Sequence, residues 1–245
     1  MKQNKVVIVT GAGRGIGAAT ARLLASQGYA VCVNYRTNQS CADKLVSQIR
    51  QTGEIAIAVQ ADVSLESDVT QLFYEVEHHL GKVTHLVNNA GMLLPQSRLV
   101  DLDVARFNQM MQTNVTSCFL CSKAFIKRID AGGAIVNVSS AAARSGAPFE
   151  YIDYAASKGA MDTLTKGLSL EVAELGIRVN SVRPGFIHTQ MHADGGEPER
   201  VTRLAPQIPL KRGGTSDEVA HAIAWLLSDE ASYVTGSFID VAGGK

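Results

Sequence analysis

The sequence predicts an α/β protein whose strands form one parallel, doubly wound sheet with helices on both faces. Short runs rich in Val and Ile alternate along the chain with longer amphipathic stretches. The runs carry few charges, as expected for strands that are buried on both sides. Because crossovers between parallel strands are right-handed and place a helix on one face, seven such runs predict a seven-stranded sheet.

The predicted strands are separated by stretches long enough for a helix. The strands cover residues 6–10, 30–34, 55–61, 85–90, 134–140, 178–185 and 237–243. The amphipathic stretches predict helices over residues 16–27, 39–51, 66–80, 103–128, 154–175 and 216–228. No internal repeat or break in composition divides the chain, so we predict a single domain over residues 1–245. Residues 189–212 are irregular and rich in Gly and Pro, which favours a substrate-binding lid.

The composition argues against several classes of protein. The 245 residues are 46% hydrophobic, and 23 basic and 23 acidic side chains give a formal net charge of zero. A partnership with nucleic acid or with an anionic membrane surface is therefore not expected. No apolar stretch has the length of a membrane span, and no secretion signal is recognised, so we expect a cytoplasmic protein. Cys118 and Cys121 form a C-x-x-C without a second such pair, which predicts small buried residues and no metal site.

A glycine-rich turn follows the first predicted strand. The segment TGAGRGIG places Gly11, Gly13, Gly15 and Gly17 between that strand and the first helix. A dinucleotide pyrophosphate needs bare backbone at this position, with the N–H groups of the helix N-terminus directed at it. A strand, this turn, a helix and a second strand in succession indicate a dinucleotide-binding Rossmann fold.

The end of the second strand indicates which dinucleotide is bound. NAD-binding proteins place an Asp or Glu here, where it binds the ribose 2′-hydroxyl. This chain has Asn34, Tyr35 and Arg36 instead. A carboxylate would repel a 2′-phosphate, whereas a guanidinium forms charge-assisted hydrogen bonds with it. Arg36, with Arg14 in the glycine loop, therefore predicts NADP(H) in preference to NAD(H).

Five short motifs together resemble those of the short-chain dehydrogenase/reductase family. They are TGAGRGIG, NNAG at 88–91, the Ser139–Ser140 pair, YAASK at 154–158 and RPG at 183–185. The resemblance covers essentially the whole chain. Within the family, the chain is similar to both the glucose dehydrogenase and the 3-oxoacyl carrier reductase branches. It implies one Rossmann domain, a nicotinamide cofactor and reversible interconversion of a carbonyl and an alcohol. It also implies a homo-oligomer, commonly a tetramer, with a small-molecule substrate.

The resemblance implies a catalytic role for four residues. Tyr154 is expected to be the acid and base, and Lys158 to lower its pKa and to hold the nicotinamide ribose. Ser140, rather than Ser139, is expected to stabilise the substrate oxygen. Asn114 is expected to complete a proton relay. The loop between Ser140 and Tyr154 is one residue longer than is common in the family.

Further residues are implied as cofactor contacts by the same resemblance. They belong to the glycine loop, to the ends of the third and fourth strands and to the loop after the sixth strand. These residues are Gly11, Gly15, Ile16, Gly17, Asp62, Val63, Asn89, Ala90, Gly91, Pro184, Gly185, Ile187 and Thr189, together with Tyr154 and Lys158.

Two tyrosines precede Lys158 with helical spacing, and the sequence distinguishes them. Tyr154 is four residues away, one turn of helix, whereas Tyr151 is seven residues away, about 10 Å along a helix axis. Tyr151 is therefore too far for a direct charge effect and is expected either to line the substrate pocket or to pack. It is expected to precede the helix, with Asp153 as the cap. His188 and His192 are expected near the pocket mouth but outside the catalytic set.

Two alternatives stay open at this stage. A regulatory or scaffold protein on the same fold would bind the dinucleotide without turning over a substrate, and the usual sign is an incomplete catalytic set. Here the set of Asn, Ser, Tyr and Lys is complete, which favours an enzyme. The substrate is open between a sugar of the glucose type, a 3-oxoacyl thioester, a steroid and a small ketone or aldehyde.

Overall fold

The computed structural model describes residues 5–130 and 132–245. Seven strands form one sheet, and each begins and ends within two residues of its predicted bounds. The strands are β1 (Val6–Val9), β2 (Ala30–Tyr35), β3 (Ala56–Gln60), β4 (His85–Asn88), β5 (Ala134–Val138), β6 (Arg178–Pro184) and β7 (Phe238–Val241).

Every strand of the sheet runs parallel to its neighbours, in the order β3-β2-β1-β4-β5-β6-β7. The order reverses at β1, where Val9 pairs with Val33 of β2 on one side and with Val87 of β4 on the other. In such a sheet the carboxyl ends of the strands at this switch point border a crevice that binds ligands. The prediction of a doubly wound, seven-stranded parallel Rossmann sheet is confirmed.

Helices cover both faces of the sheet and bury two apolar cores. The helices are α1 (Gly15–Ser26), α2 (Gln39–Gln51), α3 (Glu66–Leu80), α4 (Val104–Met111), α5 (Ser117–Arg128), α6 (Ala142–Ser145), α7 (Ile152–Glu171), α8 (Met191–Asp194), α9 (Arg200–Leu204) and α10 (Ser216–Leu227). One core packs α1, α2 and α10 around residues such as Leu24 and Ile223. The other packs α3 and α5 around Phe73 and Phe125. Fully buried strands between these cores explain their runs of Val and Ile.

The helix predicted over residues 103–128 is divided in the structure. Between α4 and α5 lies a π-helical segment, Gln112–Thr116, with Asn114 at its centre. A π-helical turn contains one extra residue and is frequent at functional sites. The apolar pattern continues through the segment, so periodicity predicts a single helix and misses the insertion.

The segment 189–212 is more regular than the sequence predicts. It contains α8, α9 and a 3-10 turn, Ala205–Gln207. These helices of four or five residues are too short to produce a recognisable apolar period, which explains the prediction of an irregular segment. Ion pairs to the glycine loop and to the loop before α7, described below, hold both helices in place.

The two cysteines of the C-x-x-C lie on α5 and are buried, as predicted. Cys118 and Cys121 are buried free thiols, and burial raises the pKa of Cys118 to about 12. Within the residues that the structure describes, no group of three or more His, Cys, Asp or Glu side chains could hold a metal ion. Among the described helices, none combines the length and the apolar character needed to cross a membrane.

Candidate active site

Two adjoining cavities lie at the carboxyl ends of the strands. The first, here named the glycine cleft, has a volume of about 410 Å³ and is bordered by the glycine loop and the ends of β2 and β4. The second, the tyrosine cavity, has a volume of about 510 Å³ and is bordered by the Ser139–Ser140 pair, the start of α7 and segment 189–212. Ile16, Asn89, Thr189 and Met191 line both cavities, so the two are continuous.

The glycine loop combines close packing with open backbone. Gly11 has a φ of +60°, and a Cβ added there would lie 3.0 Å from the Cα atom of Ala90. A Cβ at Gly17 would lie 2.5 Å from Nδ2 of Asn89, so this glycine permits α1 to approach β4. At Gly13 the nearest atom would be 3.9 Å away, which leaves its backbone open to the glycine cleft. This is the cradle that a dinucleotide pyrophosphate requires.

Asn34, at the end of β2, has a structural role that the sequence did not indicate. Its Oδ1 accepts a hydrogen bond from the backbone N–H of Gly11 at 3.2 Å, and its Nδ2 donates to the carbonyl of Ala61 at 3.1 Å. The side chain is buried. Asn34 therefore braces the glycine loop against β3, in the region where NAD-binding proteins present a carboxylate.

Arg36 and Arg14 both line the glycine cleft, as the proposed phosphate contacts require. The Arg36 side chain is 60% exposed, and its Nη1 lies 3.9 Å from Oδ2 of Asp62. Arg14 forms an ion pair with Asp194 at the end of α8. The pairing of Arg14 is unexpected from the sequence, since it joins the glycine loop to segment 189–212.

The remaining predicted cofactor residues divide between the two cavities. The glycine cleft is lined by Gly11, Gly15, Ile16, Asp62, Val63, Asn89, Ala90, Gly91 and Thr189. The tyrosine cavity is lined by Pro184, Gly185 and Ile187, with Tyr154 and Lys158. Gly17 lines neither cavity and contributes through the close packing of α1. The sequence indicated Gly13 only as a member of the glycine turn, and it gave no signal for Thr37, Asn38 and Cys41 of the cleft wall.

Tyr154 lies in the first turn of α7 and lines the tyrosine cavity. Burial raises its pKa to about 12, and a hydrogen bond with the Ser140 hydroxyl opposes that rise. Lys158 does not offset this rise in the protein alone, and its expected lowering of the Tyr154 pKa stays a prediction for the working enzyme. The desolvation of the phenolate is the larger effect, because the low-polarity surroundings disfavour the charged form.

Lys158 is one turn further along α7 and is buried. Its Nζ lies 5.6 Å from the centroid of the Tyr154 ring and donates a hydrogen bond to the carbonyl of Val138 at 2.8 Å. Burial lowers the pKa of Lys158 to about 8. The ammonium is therefore close to the tyrosine ring but is held by the end of β5.

Ser139 and Ser140 follow β5 and both line the tyrosine cavity. The Ser139 hydroxyl donates to the backbone carbonyl of Lys158 at 3.2 Å, and this residue is buried. The Ser140 hydroxyl accepts from the N–H of Ala142 at 3.1 Å and interacts with Tyr154. Ser139 thus ties β5 to α7, whereas the Ser140 hydroxyl interacts with Tyr154 at the cavity wall.

Asn114 is fully buried in the π-helical segment and connects several elements. Its Oδ1 accepts from the N–H of Met92 at 2.8 Å, and its Nδ2 donates to the hydroxyl of Ser157 on α7 at 3.0 Å. A Cβ built on Gly91 would lie 3.3 Å from Oδ1 of Asn114 and 3.5 Å from Nζ of Lys158. Asn114 and Lys158 therefore meet beside the same glycine.

The start of α7 differs from the prediction at one residue. Tyr151 precedes the helix, as expected, but Asp153 is inside the first turn and is not the cap. The buried Asp153 carboxylate accepts from Nε of Arg106 on α4 at 2.8 Å. A carboxylate in the first turn is favourable beside the helix N-terminus, and here it also joins α7 to α4.

Segment 189–212 and the loop before α7 supply residues of the tyrosine cavity. Tyr151 lines it and is only 4% exposed, so the two roles considered for it, pocket wall and packing, coincide. His192 also lines it, whereas His188 does not border it within the described residues. Arg200 is 5% exposed and pairs with Glu150 and Glu197. The sequence gave no signal for the pair of Arg200 with Glu150, because these two residues are 50 positions apart.

The chain is similar to known oxidoreductases over its whole length. A family profile described as "Enoyl-(Acyl carrier protein) reductase" matches residues 11–245. The chain is 56% identical to the oxidoreductase YgfF of Escherichia coli, with 98% of this chain and 99% of that protein covered. It is 36% identical to glucose 1-dehydrogenase 2 of Bacillus subtilis (98% and 94% covered) and 37% identical to the 3-oxoacyl-[acyl-carrier-protein] reductase FabG of Staphylococcus aureus (100% and 99% covered).

A solved structure is similar over almost the whole chain. It is a double mutant of a short-chain dehydrogenase/reductase from Serratia marcescens, with 33% sequence identity and a TM-score of 0.90. The match covers 99% of this chain and 98% of that one.

Proposed function

The chain belongs to the short-chain dehydrogenase/reductase family, and on that premise we propose that it is an NADP(H)-dependent oxidoreductase that interconverts a carbonyl and an alcohol. Membership implies a nicotinamide cofactor and chemistry at a carbon–oxygen bond. One observation carries the proposal furthest: Tyr154, Ser140 and Lys158 line a cavity continuous with the glycine cleft.

The proposed reaction uses the two hydroxyl groups at the substrate oxygen. When bound, the dinucleotide supplies or accepts the hydride. In reduction, the Tyr154 hydroxyl gives a proton to the substrate oxygen as negative charge develops there. The Ser140 hydroxyl donates a hydrogen bond to the same oxygen and so stabilises that charge. A pKa of about 12 keeps the phenol protonated at neutral pH but also makes it a weak acid, so the tyrosinate that forms needs stabilisation.

Lys158 and Asn114 are proposed to support the tyrosine. The Lys158 ammonium lies near the Tyr154 ring, and its positive charge favours the tyrosinate that forms when the proton leaves. With the cofactor bound, Lys158 would also hold the nicotinamide ribose. Asn114 lies beside Lys158 at Gly91, a position from which a proton relay can continue.

The preference for NADP(H) is proposed from the charges of the glycine cleft. Arg36 and Arg14 line the cleft, and no residue of the β2 end (34–36) carries a carboxylate. Two guanidinium groups fit a 2′-phosphate, which carries about two negative charges and three acceptor oxygens, and Arg14 would exchange its ion pair with Asp194 for this contact. The 3.9 Å separation of Arg36 from Asp62 leaves its donors available to such a group.

Further proposals concern the setting of the enzyme. Residues 189–212 are proposed to act as a lid within a single domain, since their side chains line both cavities. A homo-oligomer, as in many family members, is proposed from exposed apolar residues on α4 and α5. A cytoplasmic location suits the buried free thiols of Cys32, Cys118 and Cys121.

A panel of carbonyl compounds tests the proposed function. The purified protein is mixed with NADPH or NADH and a ketone, an aldehyde, a sugar or a 3-oxoacyl thioester, and loss of reduced cofactor is followed by absorbance. We expect turnover of at least one carbonyl class, with NADPH favoured over NADH. Tight cofactor binding without turnover of any class would instead indicate the regulatory or scaffold alternative.

A further inference from the structure

An ion pair joins two segments that both border the glycine cleft. Arg14 belongs to the glycine loop and lines the cleft. Asp194 is the last residue of α8, and Thr189, Gln190 and Met191, at and just before the start of α8, line the same cleft. The carboxylate of Asp194 is therefore held beside the cavity that is proposed to bind the dinucleotide.

The contact between these two side chains occupies the fork of the guanidinium. Nη1 of Arg14 donates to Oδ1 of Asp194 at 3.5 Å, and Nη2 donates to Oδ2. Within the described residues, the guanidinium has no other hydrogen-bond partner. A fork of this kind binds two oxygens of a phosphate as readily as two oxygens of a carboxylate. The Asp194 carboxylate thus occupies the donors that a phosphate group would use.

The pair is open to solvent, so an anion in solution can reach it. The side chains of Arg14 and Asp194 are 54% and 46% exposed. The other cation of the cleft is less committed, because Nη1 of Arg36 lies 3.9 Å from Oδ2 of Asp62, beyond hydrogen-bond distance. Of the two arginines proposed to bind the 2′-phosphate, Arg14 alone has to give up a close carboxylate.

We infer that Asp194 determines cofactor specificity: its carboxylate competes with the 2′-phosphate for Arg14 and so weakens the binding of NADP(H) but not of NAD(H). This inference rests on the proposed NADP(H)-dependent function. A guanidinium has five N–H groups, enough to hold both anions, but the carboxylate and the phosphate would then repel each other across it. In both arrangements the charge of Asp194 opposes the phosphate, and NAD(H) carries no phosphate at this position.

The expected effect is modest, because exposed ion pairs are weak. The strength that such pairs show in double-mutant cycles corresponds to a change of up to about five-fold in Kd. Arg36 remains available to the phosphate in the presence of Asp194. Asp194 therefore limits the preference for NADP(H) without reversing it.

Neutralising the carboxylate tests the inference by binding alone. Asp194→Asn is titrated with NADPH and with NADH at low ionic strength, and the fluorescence of the reduced nicotinamide gives each Kd. We expect the Kd for NADPH to fall about two- to five-fold and the Kd for NADH to stay unchanged. Adenosine 2′,5′-bisphosphate and 5′-AMP, which differ only in the 2′-phosphate, are compared in the same way by titration calorimetry. Glu199→Gln is the matched control, since Glu199 is exposed in segment 189–212 and lines neither cavity among the described residues.

A double-mutant cycle shows whether Asp194 acts through the arginine. In the Arg14→Gln background, we expect Asp194→Asn to lose most of its effect on the Kd for NADPH. Added salt is expected to shrink the effect in the wild-type background, because salt screens exposed charges. A purely structural role in holding α8 would instead change the Kd values for NADPH and NADH together, so the ratio of the two separates the roles. Thermal unfolding of each variant checks that it is folded.

The outcomes separate this inference from the proposed function. If the wild-type protein binds neither NADPH nor NADH, the oxidoreductase proposal fails and the inference fails with it. If it binds NADPH but Asp194→Asn leaves that Kd unchanged, raises it, or lowers both Kd values equally, the inference alone is overturned. The same holds if Asp194→Asn has its full effect in the absence of Arg14.

Discussion

At the scale of single residues, the tyrosine cavity holds two tyrosines with different surroundings. Tyr154 interacts with Ser140 and lies beside Lys158, whereas the hydroxyl of Tyr151 donates to the carbonyl of Gly195. The first hydroxyl is near the groups that a proton transfer needs. The second is committed to segment 189–212, and so it shapes the cavity.

A pair of substitutions distinguishes the two tyrosines. We expect Tyr154→Phe to lower kcat by at least about 100-fold, because general acid–base catalysis contributes factors of this size. NADPH binding, measured by titration calorimetry, is expected to remain within a few-fold of wild type. Tyr151→Phe is the matched control and is expected to retain most of kcat. Equal losses in the two variants would contradict the assignment of Tyr154.

The charge of the buried Lys158 makes the free energy of unfolding depend on pH. Burial lowers its pKa from 10.5 to about 8, so at neutral pH the folded protein holds an ammonium that the unfolded chain solvates better. Between about pH 8 and pH 10.5 the unfolded state binds more protons than the folded state. The contribution of Lys158 to the free energy of unfolding therefore rises with pH across this window, by about 3 kcal/mol in all.

Replacing this lysine is expected to stabilise the cofactor-free protein while abolishing activity. At pH 7 we expect Lys158→Met to raise the free energy of unfolding by up to about 3 kcal/mol, and at pH 9.5 by roughly half as much. Urea unfolding of both proteins at both pH values measures the difference. The buried thiols titrate in both proteins and cancel. A gain that is independent of pH would show that charge burial is not its cause.

A substitution at Arg36 tests the proposed preference for NADPH over NADH. We expect Arg36→Asp to shift the ratio of kcat/KM for NADPH over NADH toward NADH by at least about 10-fold, because a carboxylate repels the 2′-phosphate and binds a ribose hydroxyl. Steady-state kinetics with both cofactors measures the ratio. Arg22, which lies on α1 and does not line the glycine cleft among the described residues, is the matched control as Arg22→Asp. An unchanged ratio in Arg36→Asp would remove the basis for the NADP(H) preference.

At the scale of elements, the turn between β1 and α1 depends on two glycines with opposite surroundings. A Cβ at Gly17 would lie 2.5 Å from Asn89 Nδ2 and 2.8 Å from the carbonyl oxygen of Gly11, whereas a Cβ at Gly13 meets nothing nearer than 3.9 Å. Gly17 therefore sets how closely α1 approaches β4. Gly13 faces the glycine cleft, where only a ligand could approach it.

This difference predicts the effect of adding one methyl group to the turn. We expect Gly17→Ala to lower the free energy of unfolding by about 2 to 3 kcal/mol, as overpacking of a tight contact does. Gly13→Ala is expected to change it by less than about 1 kcal/mol. Thermal or urea unfolding without cofactor measures both. If the two variants are equally stable, the close packing of α1 is not what fixes this turn.

The elements also show where sequence-based prediction ends. The buried strands and long helices follow from apolar periodicity, and all seven strands lie within two residues of their predicted bounds. The π-helical segment around Asn114 was missed, because the apolar pattern does not change across it. The pairs Arg14–Asp194 and Arg200–Glu150 were missed because they join residues far apart in sequence. Sequence motifs indicate where the candidate site lies, whereas the hydrogen bonds and ion pairs around it form only when the fold brings distant residues together.

At the scale of the whole molecule, several apolar side chains on α4, on α5 and just before α4 are exposed. Val100 is 86% exposed, Val104 is 75% exposed, and Phe107 and Phe119 on α4 and α5 are also exposed. Exposed apolar residues of this size on neighbouring elements favour association with another protein surface. α4 and α5 flank the π-helical segment that carries Asn114, so assembly through these helices would brace the site.

We therefore predict that several copies of the chain associate in solution. We expect light scattering to give a mass several times that of the monomer, with a tetramer as the specific proposal. Val104→Glu combined with Phe107→Glu is expected to lower that mass, because charges on an apolar interface are costly to bury. Ile55→Glu changes another exposed apolar residue, outside α4 and α5, and is expected to leave the mass unchanged. A monomeric wild-type protein would refute the oligomer, while an unaffected double variant would place its interface elsewhere.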